Sequence, residues 1–235
     1  PWVNVDPGAP ALGAPRVSVI IPTYNQKPMY LKAAVLSALN QVGIATEVIV
    51  VDDGTTDYEI RIDDVIGAPD SGYIRDDNTI GKIVWLSKRA KLVKHEKNRG
   101  ISAALNTGIA HMTTDWFCWL SSDDLFSPDK VEKQLNAMLA AGAKASFHDY
   151  TVIDNTPESF GRYVIGHTWS SIEEQLRALR QTCLINGSTV MIHKDALKEC
   201  SEKVYHFFDE DLRYGQDYEM WLRIGQRHLW LRVPE

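Results

Sequence analysis

The sequence predicts an α/β fold in which helices flank a mostly parallel central sheet. Short β-branched or apolar runs, such as 17–21, 47–51 and 115–120, alternate with stretches whose apolar residues recur every three or four positions. Strands that alternate with helices in this way are typical of βαβ units, whose strands run parallel. A chain of 235 residues is long enough to bury a sizeable core in one domain.

The same patterns locate the individual elements. The predicted strands are 17–21, 47–51, 91–95, 115–120, 145–148, 188–192 and 229–233. The predicted helices are 28–41, 57–66, 101–112, 128–141, 170–181, 194–200 and 216–227. The apolar residues of the first helix fall on one face, and they are Leu31, Ala34, Val35, Ala38 and Leu39.

Two parts of the chain are less regular. Residues 1–16 are rich in Pro, Gly and Ala and predict a linker or surface arm before a single domain over 17–235. Residues 58–90 contain acidic pairs and a basic run, and we expect an irregular insertion there with a hairpin around 78–81. The acidic pairs of this insertion are interpreted as solvated loop residues rather than metal ligands.

Two adjacent carboxylates, Asp123 and Asp124, closely follow the predicted strand 115–120. Ser127 and Pro128 then indicate the start of the next helix. The pair therefore lies at the carboxyl end of a strand, where open α/β sheets bind ligands. Adjacent like charges stay ionised only with help from hydrogen bonds or a cation, and a hard divalent cation is the simplest partner. The alternative is a solvated turn rich in Asp.

Polar and turn-forming residues follow two further strands. They are Pro22, Thr23, Tyr24 and Asn25 after the first strand, and Asp52 and Asp53 after the second. Because the carboxyl ends of parallel strands meet at one edge of a sheet, we expect these side chains to line a common cleft with the Asp pair. Such a cleft suits a sugar-bearing nucleotide whose phosphates are bridged by a metal ion.

Several segments together resemble the family 2 glycosyltransferases, which have the GT-A fold and invert configuration at the transferred sugar. The segments are VSVIIPTYN at 17–25, EVIVVDDGTTD at 47–57, NRGISAALN at 98–106, LSSDD at 120–124, residues 183–196, and GQDYEMWLR at 215–223. They occur in the family's order and cover about 17 to 232, which is nearly the whole chain. Most family members have an additional Asp at the start of the acidic motif, at the position where this chain has Ser121.

The resemblance implies a nucleotide-sugar half, 17–125, that binds a donor such as a UDP-sugar. It implies that Asp124 binds a divalent metal ion, Mn²⁺ or Mg²⁺, with Asp123 near the ribose or in the metal's shell. Asp52 would accept a hydrogen bond from the base. Thr23 and Tyr24 would flank that base and Arg99 would meet the diphosphate. Asp53 either contributes to this site or caps the Gly-Thr-Thr turn that follows it.

The resemblance also implies a smaller acceptor half, 126–235, for a glycan or another hydroxyl acceptor. Asp217 is the expected general base for the attacking hydroxyl. The family's acidic pair is here Gln216–Asp217, so only its second carboxylate is kept. Trp169 is a candidate acceptor platform, and His148 is weighed as a further metal ligand against a structural histidine.

Composition excludes some classes of protein. A net charge of −6 argues against a general nucleic-acid binder. No apolar run approaches the roughly 20 residues of a membrane span. The three cysteines show no metal-type spacing, so we expect reduced thiols. We therefore expect a cytoplasmic protein, or one that is peripheral at a membrane surface. Nothing in the sequence specifies an oligomeric state. A nucleotidyltransferase and a non-catalytic sugar-nucleotide or glycan-binding module stay open as alternatives.

Overall fold

The computed structural model describes residues 16–60, 84–87, 89–153, 161–163, 168–201 and 206–234. The strands are β1 (Val17–Thr23), β2 (Thr46–Asp52), β3 (Val84–Ser87), β4 (Ala90–Lys94), β5 (Trp116–Trp119), β6 (Ala145–His148), β7 (Tyr150–Val152), β8 (Gly161–Tyr163), β9 (Met191–His193) and β10 (Leu231–Val233). The helices are α1 (Pro28–Leu39), α2 (Ile101–Ala110), α3 (Lys130–Ala141), α4 (Ile172–Leu179), α5 (Lys194–Glu199) and α6 (Gln216–Gly225).

The central sheet has eight strands in the order β10-β6-β9-β5-β1-β2-β4-β3. Strand β1 pairs in parallel with both β2 and β5, β2 pairs in parallel with β4, and β10 pairs in parallel with β6. Strand β9 runs antiparallel to its neighbours β5 and β6, and β3 runs antiparallel to β4. Strands β7 and β8 form a separate antiparallel pair. The predicted α/β architecture with a mostly parallel sheet is confirmed.

Helices cover both faces of this sheet, which explains why β1 and β2 are apolar along nearly their whole length. On one face, Val19 of β1 belongs to a core that includes the apolar residues of α1 and α3. On the other face, Ile20 belongs to a core that includes α2 and α6. All five residues predicted for the apolar face of α1 are buried.

A buried ion pair lies near the amino ends of β1, β2 and β4. The Glu47 carboxylate is 2.8 Å from Lys91 Nζ, and both side chains are almost fully buried. Glu47 also accepts hydrogen bonds from the Ser18 hydroxyl at 2.7 Å and from the Thr113 amide at 3.0 Å. Burial raises the pKa of Glu47, but the hydrogen bonds from Lys91, Thr113 and Ser18 outweigh it and leave the pKa below its ordinary value.

We expect Glu47→Ala to lower the free energy of unfolding by about 3–5 kcal/mol, because it removes the carboxylate that balances the buried charge of Lys91. In urea denaturation, the matched control Asp129→Ala removes the exposed partner of Lys133 and should change the free energy of unfolding very little. Because the folded pKa of Glu47 is depressed, its contribution is present above the unfolded pKa and is lost as pH falls through the folded pKa. Equal losses in the two variants would contradict this role.

Some strands and helices begin at other residues than the sequence predicts. The predicted strand 188–192 begins only at Met191, because residues Gly187–Thr189 form a 3₁₀ turn whose Ser188 amide donates to the Asn186 side chain. The helix predicted from 128 begins at Lys130, and Ser127 does not cap it. Strands β3, β7 and β8 were not predicted.

The helix predicted over 57–66 is also wrong in its described part, since residues 57–60 are not helical. The Thr56 and Asp57 amides donate to the Asn25 side chain, and the Tyr58 hydroxyl donates to the Gln26 carbonyl. These bonds tie the segment to the loop after β1. The rest of that predicted helix, the hairpin around 78–81 and nearly all of the 1–16 arm lie outside the described residues. In the part of the chain that the structure describes, every helix is too short or too polar to cross a membrane.

Candidate active site

The loops after β1, β2 and β5 lie side by side at one edge of the sheet, as the sequence predicts. Strand β1 lies between the other two, and Thr23 is in register with Asp52. The Asn25 amide donates to Thr55 Oγ1 at 3.1 Å, and Gln26 Nε2 donates to Ser122 Oγ at 3.4 Å. The three loops therefore support one another through direct hydrogen bonds.

Two neighbouring cavities open at this edge. The first has a volume of about 390 Å³, and its lining includes Pro22, Thr23, Tyr24, Asp53, Ser122 and Asp123. The second has a volume of about 380 Å³, and its lining includes Asp52, Thr55, Tyr58, Lys94 and Glu96. Most of the predicted donor residues thus divide between two adjoining spaces, whereas Asn25 and Arg99 line neither.

The residues after β1 have different environments. Thr23 is buried, and its hydroxyl has no hydrogen-bond partner. Tyr24 is 47% exposed, so its ring is available for stacking. Asn25 has a positive φ of 49°, and its side-chain oxygen accepts from the Thr56 amide at 2.9 Å. Asn25 therefore holds the loop together, while the Tyr24 ring remains available to a ligand.

Asp52 and Asp53 turn to different partners. Asp52 Oδ1 accepts from the Thr55 amide at 2.9 Å, and Oδ2 is 4.0 Å from Lys94 Nζ. Asp52, rather than Asp53, therefore caps the Gly-Thr-Thr turn, which corrects that alternative for Asp53. The reason is that Asp53 lies one residue beyond the strand and faces the loop between β4 and α2.

Asp53 is engaged by that loop on both oxygens. Its Oδ1 is 2.7 Å from His95 Nδ1 and accepts from the Arg99 amide at 2.9 Å. Its Oδ2 accepts from the Gly100 amide at 2.8 Å. Asp53 is only 3% exposed, so these partners give it a structural role at the border of the first cavity.

Asp123 is exposed, whereas Asp124 is half-buried. The Asp124 amide donates to the Ser121 carbonyl at 3.1 Å, which closes a tight turn at the end of β5. Asp124 Oδ2 accepts from the Ser188 hydroxyl at 2.5 Å. Burial raises the pKa of Asp124 above its ordinary value, the Ser188 hydrogen bond opposes this, and the charge of Asp123 adds to it.

A divalent cation fits this carboxylate pair. It would offset both the burial and the like charge that raise the pKa of Asp124. Within the described ranges, no group of three or more His, Cys, Asp and Glu side chains is placed to hold a metal ion. A cation at Asp124 would therefore draw further oxygen ligands from a bound ligand, as Mg²⁺ commonly does from phosphates.

Two weaker sequence candidates have other surroundings. Trp169 is 6% exposed, and its ring packs 5.5 Å from that of Phe147, so its interpretation as an acceptor platform is wrong. His148 lines a different cavity with Lys130 and Gln134. Burial, together with the charge of Lys130, lowers the pKa of His148 to about 3. His148 is thus a neutral structural residue in a space apart from the Asp pair.

Arg99 is exposed, and its guanidinium is 3.1 Å from the Glu210 carboxylate. Glu210 also accepts from Asn106 Nδ2 at 3.0 Å, and Asn106 Oδ1 accepts from the Phe207 and Phe208 amides. Asn106 thereby fixes the segment before α6 to α2. Sequence reasoning did not single out Asn106, although it is the last residue of the NRGISAALN motif.

Asp217 lies in the first turn of α6 and is half-buried. Its Oδ1 accepts from the Tyr218 amide at 2.8 Å. Burial raises the pKa of the Cys183 thiol, and the negative charge of Asp217 raises it further. Cys183 begins the segment 183–189, and Ser188 near its other end holds Asp124. This segment therefore contacts Asp124 directly, whereas Asp217 acts on it through its charge.

The sequence and the fold of this chain are similar to those of known proteins. The model for glycosyl transferase family 2 matches residues 18–201. An uncharacterized glycosyltransferase of Rickettsia typhi is 32% identical over 215 residues, which cover 90% of this chain and 59% of the relative. The Escherichia coli UDP-Glc:alpha-D-GlcNAc-diphosphoundecaprenol beta-1,3-glucosyltransferase WfgD is 25% identical over 209 residues, which cover 88% of this chain and 69% of the relative. The chain thus spans under two thirds of the Rickettsia relative.

Solved structures share the fold. The crystal structure of Staphylococcus aureus TarS superposes with a TM-score of 0.66 and 16% identity, covering 94% of this chain and 35% of TarS. A structure of TarS residues 1–349 in complex with UDP gives a TM-score of 0.64 and 16% identity over 94% of this chain and 60% of that one. This likeness confirms the predicted GT-A fold class.

Proposed function

Because the chain belongs to glycosyl transferase family 2, we propose that it transfers a sugar from a nucleotide-sugar to an acceptor hydroxyl by metal-assisted direct displacement, with inversion at the sugar. One observation carries the proposal beyond the family. The Ser188 hydroxyl donates to Asp124 Oδ2, which fixes the segment 183–189 against the loop after β5. The second half of the chain, predicted to bind the acceptor, therefore supports the carboxylate that is suited to a cation in the first half.

The donor is assigned to residues 17–125 and to the two cavities at the sheet edge. We propose a UDP-sugar, because the E. coli relative is named for UDP-Glc and a TarS structure contains UDP. The imide N–H of uracil would donate to Asp52, and the exposed ring of Tyr24 would stack on the base. Arg99 would bind the diphosphate and would exchange Glu210 for it.

Asp52→Ala should weaken UDP binding by about 1.5–3 kcal/mol, because a hydrogen bond to a charged group is lost. The substitution also removes the cap on the Thr55 amide, so the loop itself changes. Calorimetry with inorganic pyrophosphate and Mn²⁺ separates the two effects, since pyrophosphate has no base. We expect pyrophosphate affinity to be kept. Unchanged UDP affinity would remove Asp52 from the base site.

Asp124 would hold the divalent cation, and Asp123 would complete its shell or face the ribose. When bound, Mn²⁺ or Mg²⁺ would act as a Lewis acid on the charge that builds on the departing diphosphate. The chain's own contribution is a fixed carboxylate: the turn at Ser121 and the hydroxyl of Ser188 hold Asp124 in one orientation.

Asp217 is proposed as the general base on the acceptor side, within residues 126–235. It would accept the proton of the attacking hydroxyl as that oxygen approaches the anomeric carbon. Among the described residues no cation pairs with the Asp217 carboxylate within 4 Å, so no ion pair must break first. The acceptor is proposed to be a glycan or another hydroxyl compound, in keeping with the saccharide acceptor in the E. coli relative's name.

A thermal-shift panel tests the donor proposal directly. Ligands that bind only the folded state raise the melting temperature in proportion to the logarithm of their concentration over Kd. We expect Mn²⁺ with UDP or a UDP-sugar to raise it more than Mn²⁺ with GDP, and UDP alone to raise it less. No shift with any nucleoside diphosphate would contradict donor binding in this chain.

A further inference from the structure

Ser188 is 64 residues from Asp124 in sequence, yet its hydroxyl donates to Asp124 Oδ2 at 2.5 Å. Ser188 Oγ also accepts a hydrogen bond from the Ser121 amide at 3.0 Å, just after the end of β5. Ser188 is 9% exposed, so solvent competes little for its hydroxyl. The hydroxyl therefore bridges the backbone of the β5 loop and one oxygen of the carboxylate.

The turn that carries Ser188 is itself fixed in place. The Ser188 amide donates to Asn186 Oδ1 at 2.8 Å, and Thr189 Oγ1 donates to the Asn186 carbonyl at 2.7 Å. Gly187 presses on the Trp119 ring so closely that a Cβ there would lie 2.6 Å from ring carbons. A side chain at position 187 would push the turn away from β5. The backbone thus determines where the Ser188 hydroxyl points.

We propose that Ser188 is a positioning residue for the metal-binding carboxylate. The Ser188 hydroxyl donates a hydrogen bond to Asp124 Oδ2, and no group among the described residues donates to Oδ1. Oδ1 is therefore the atom that would face a cation. Partners of this kind fix the orientation of a ligand, and their loss typically weakens metal binding about 10–100-fold. The inference rests on the proposed metal role of Asp124.

Titration of the full chain with Mn²⁺ in saturating UDP tests this proposal, with free Mn²⁺ followed by electron paramagnetic resonance. Ser188→Ala is expected to raise the Kd for Mn²⁺ about 10–100-fold. UDP affinity without metal should be unchanged. Thr189→Val is the matched control, because it removes a buried hydroxyl from the same turn that binds only the Asn186 carbonyl. We expect wild-type Mn²⁺ affinity in this control.

Each outcome decides a different claim. Wild-type Mn²⁺ affinity in Ser188→Ala overturns the positioning role, and so does an equal loss in both variants, which would place the effect in the turn. If the unaltered protein with UDP binds no Mn²⁺, the metal role of Asp124 fails and the inference fails with it. Should Ser188→Ala not fold, Ser188→Cys, which keeps the volume with a weaker donor, is measured in the same way against the same expectation.

Discussion

Asp124→Asn is expected to reduce sugar transfer by at least about 10²-fold while the fold survives, since it removes the charge that is proposed to hold a cation for the leaving diphosphate. The Ser188 hydroxyl can still donate to the asparagine oxygen. The variant also loses the like charge beside Asp123 and the cost of a half-buried carboxylate. Its free energy of unfolding should therefore be equal to or above that of the unaltered protein.

The measurement is transfer at a series of Mn²⁺ concentrations, together with urea denaturation. Asp129→Asn is the matched control, because Asp129 is close in sequence but pairs with Lys133 on the surface. We expect this control to keep its activity. Full turnover of the unaltered protein in excess EDTA, on a confirmed donor, would refute the metal role.

Asp217→Asn is expected to slow the chemical step by about 10²–10⁴-fold, the usual contribution of a positioned general base. The asparagine oxygen can still accept from the Tyr218 amide, so α6 should begin as before. Donor affinity should be nearly unchanged, because Asp217 is assigned to the acceptor half. The two quantities are measured on one variant, by UDP calorimetry and by single-turnover transfer.

Asp211→Asn is the control for Asp217, since Asp211 is an exposed carboxylate of the segment before α6. It should leave both binding and transfer intact. Near wild-type transfer in Asp217→Asn would assign the base to Asp211 or Glu210, and Glu210 is already bound by Arg99 and Asn106. A loss of donor binding in Asp217→Asn would mean that it belongs to the donor site.

Local patterns predicted the framework of the fold because they depend on neighbouring residues. The apolar face of α1 and the parallel ends of β1, β2 and β5 are of this kind. The family motifs added the order of the segments around the sheet edge. In α6, Trp221 is fully buried and packs against Trp230.

Two features that the sequence did not reveal are contacts between distant residues. Trp169 packs on Phe147, which no local pattern around either residue indicates. The Ser188–Asp124 bond joins residues 64 apart, so sequence spacing gives no sign of it. Asp52 and Asp53 are identical in type, and only the direction of each side chain beyond β2 decides which one caps the turn and which one holds the loop before α2.

The most direct test of the central claim is phosphorus NMR of a UDP-sugar panel incubated with the full chain and Mn²⁺, with and without simple sugar acceptors. The proposal predicts that the unaltered protein releases UDP from at least one donor. It also predicts that EDTA abolishes this release and that Asp124→Asn reduces it by at least about 10²-fold. Release of UMP or pyrophosphate would indicate nucleotidyl chemistry instead. Binding of UDP with no release from any donor or acceptor would contradict catalysis and favour a sugar-nucleotide-binding module.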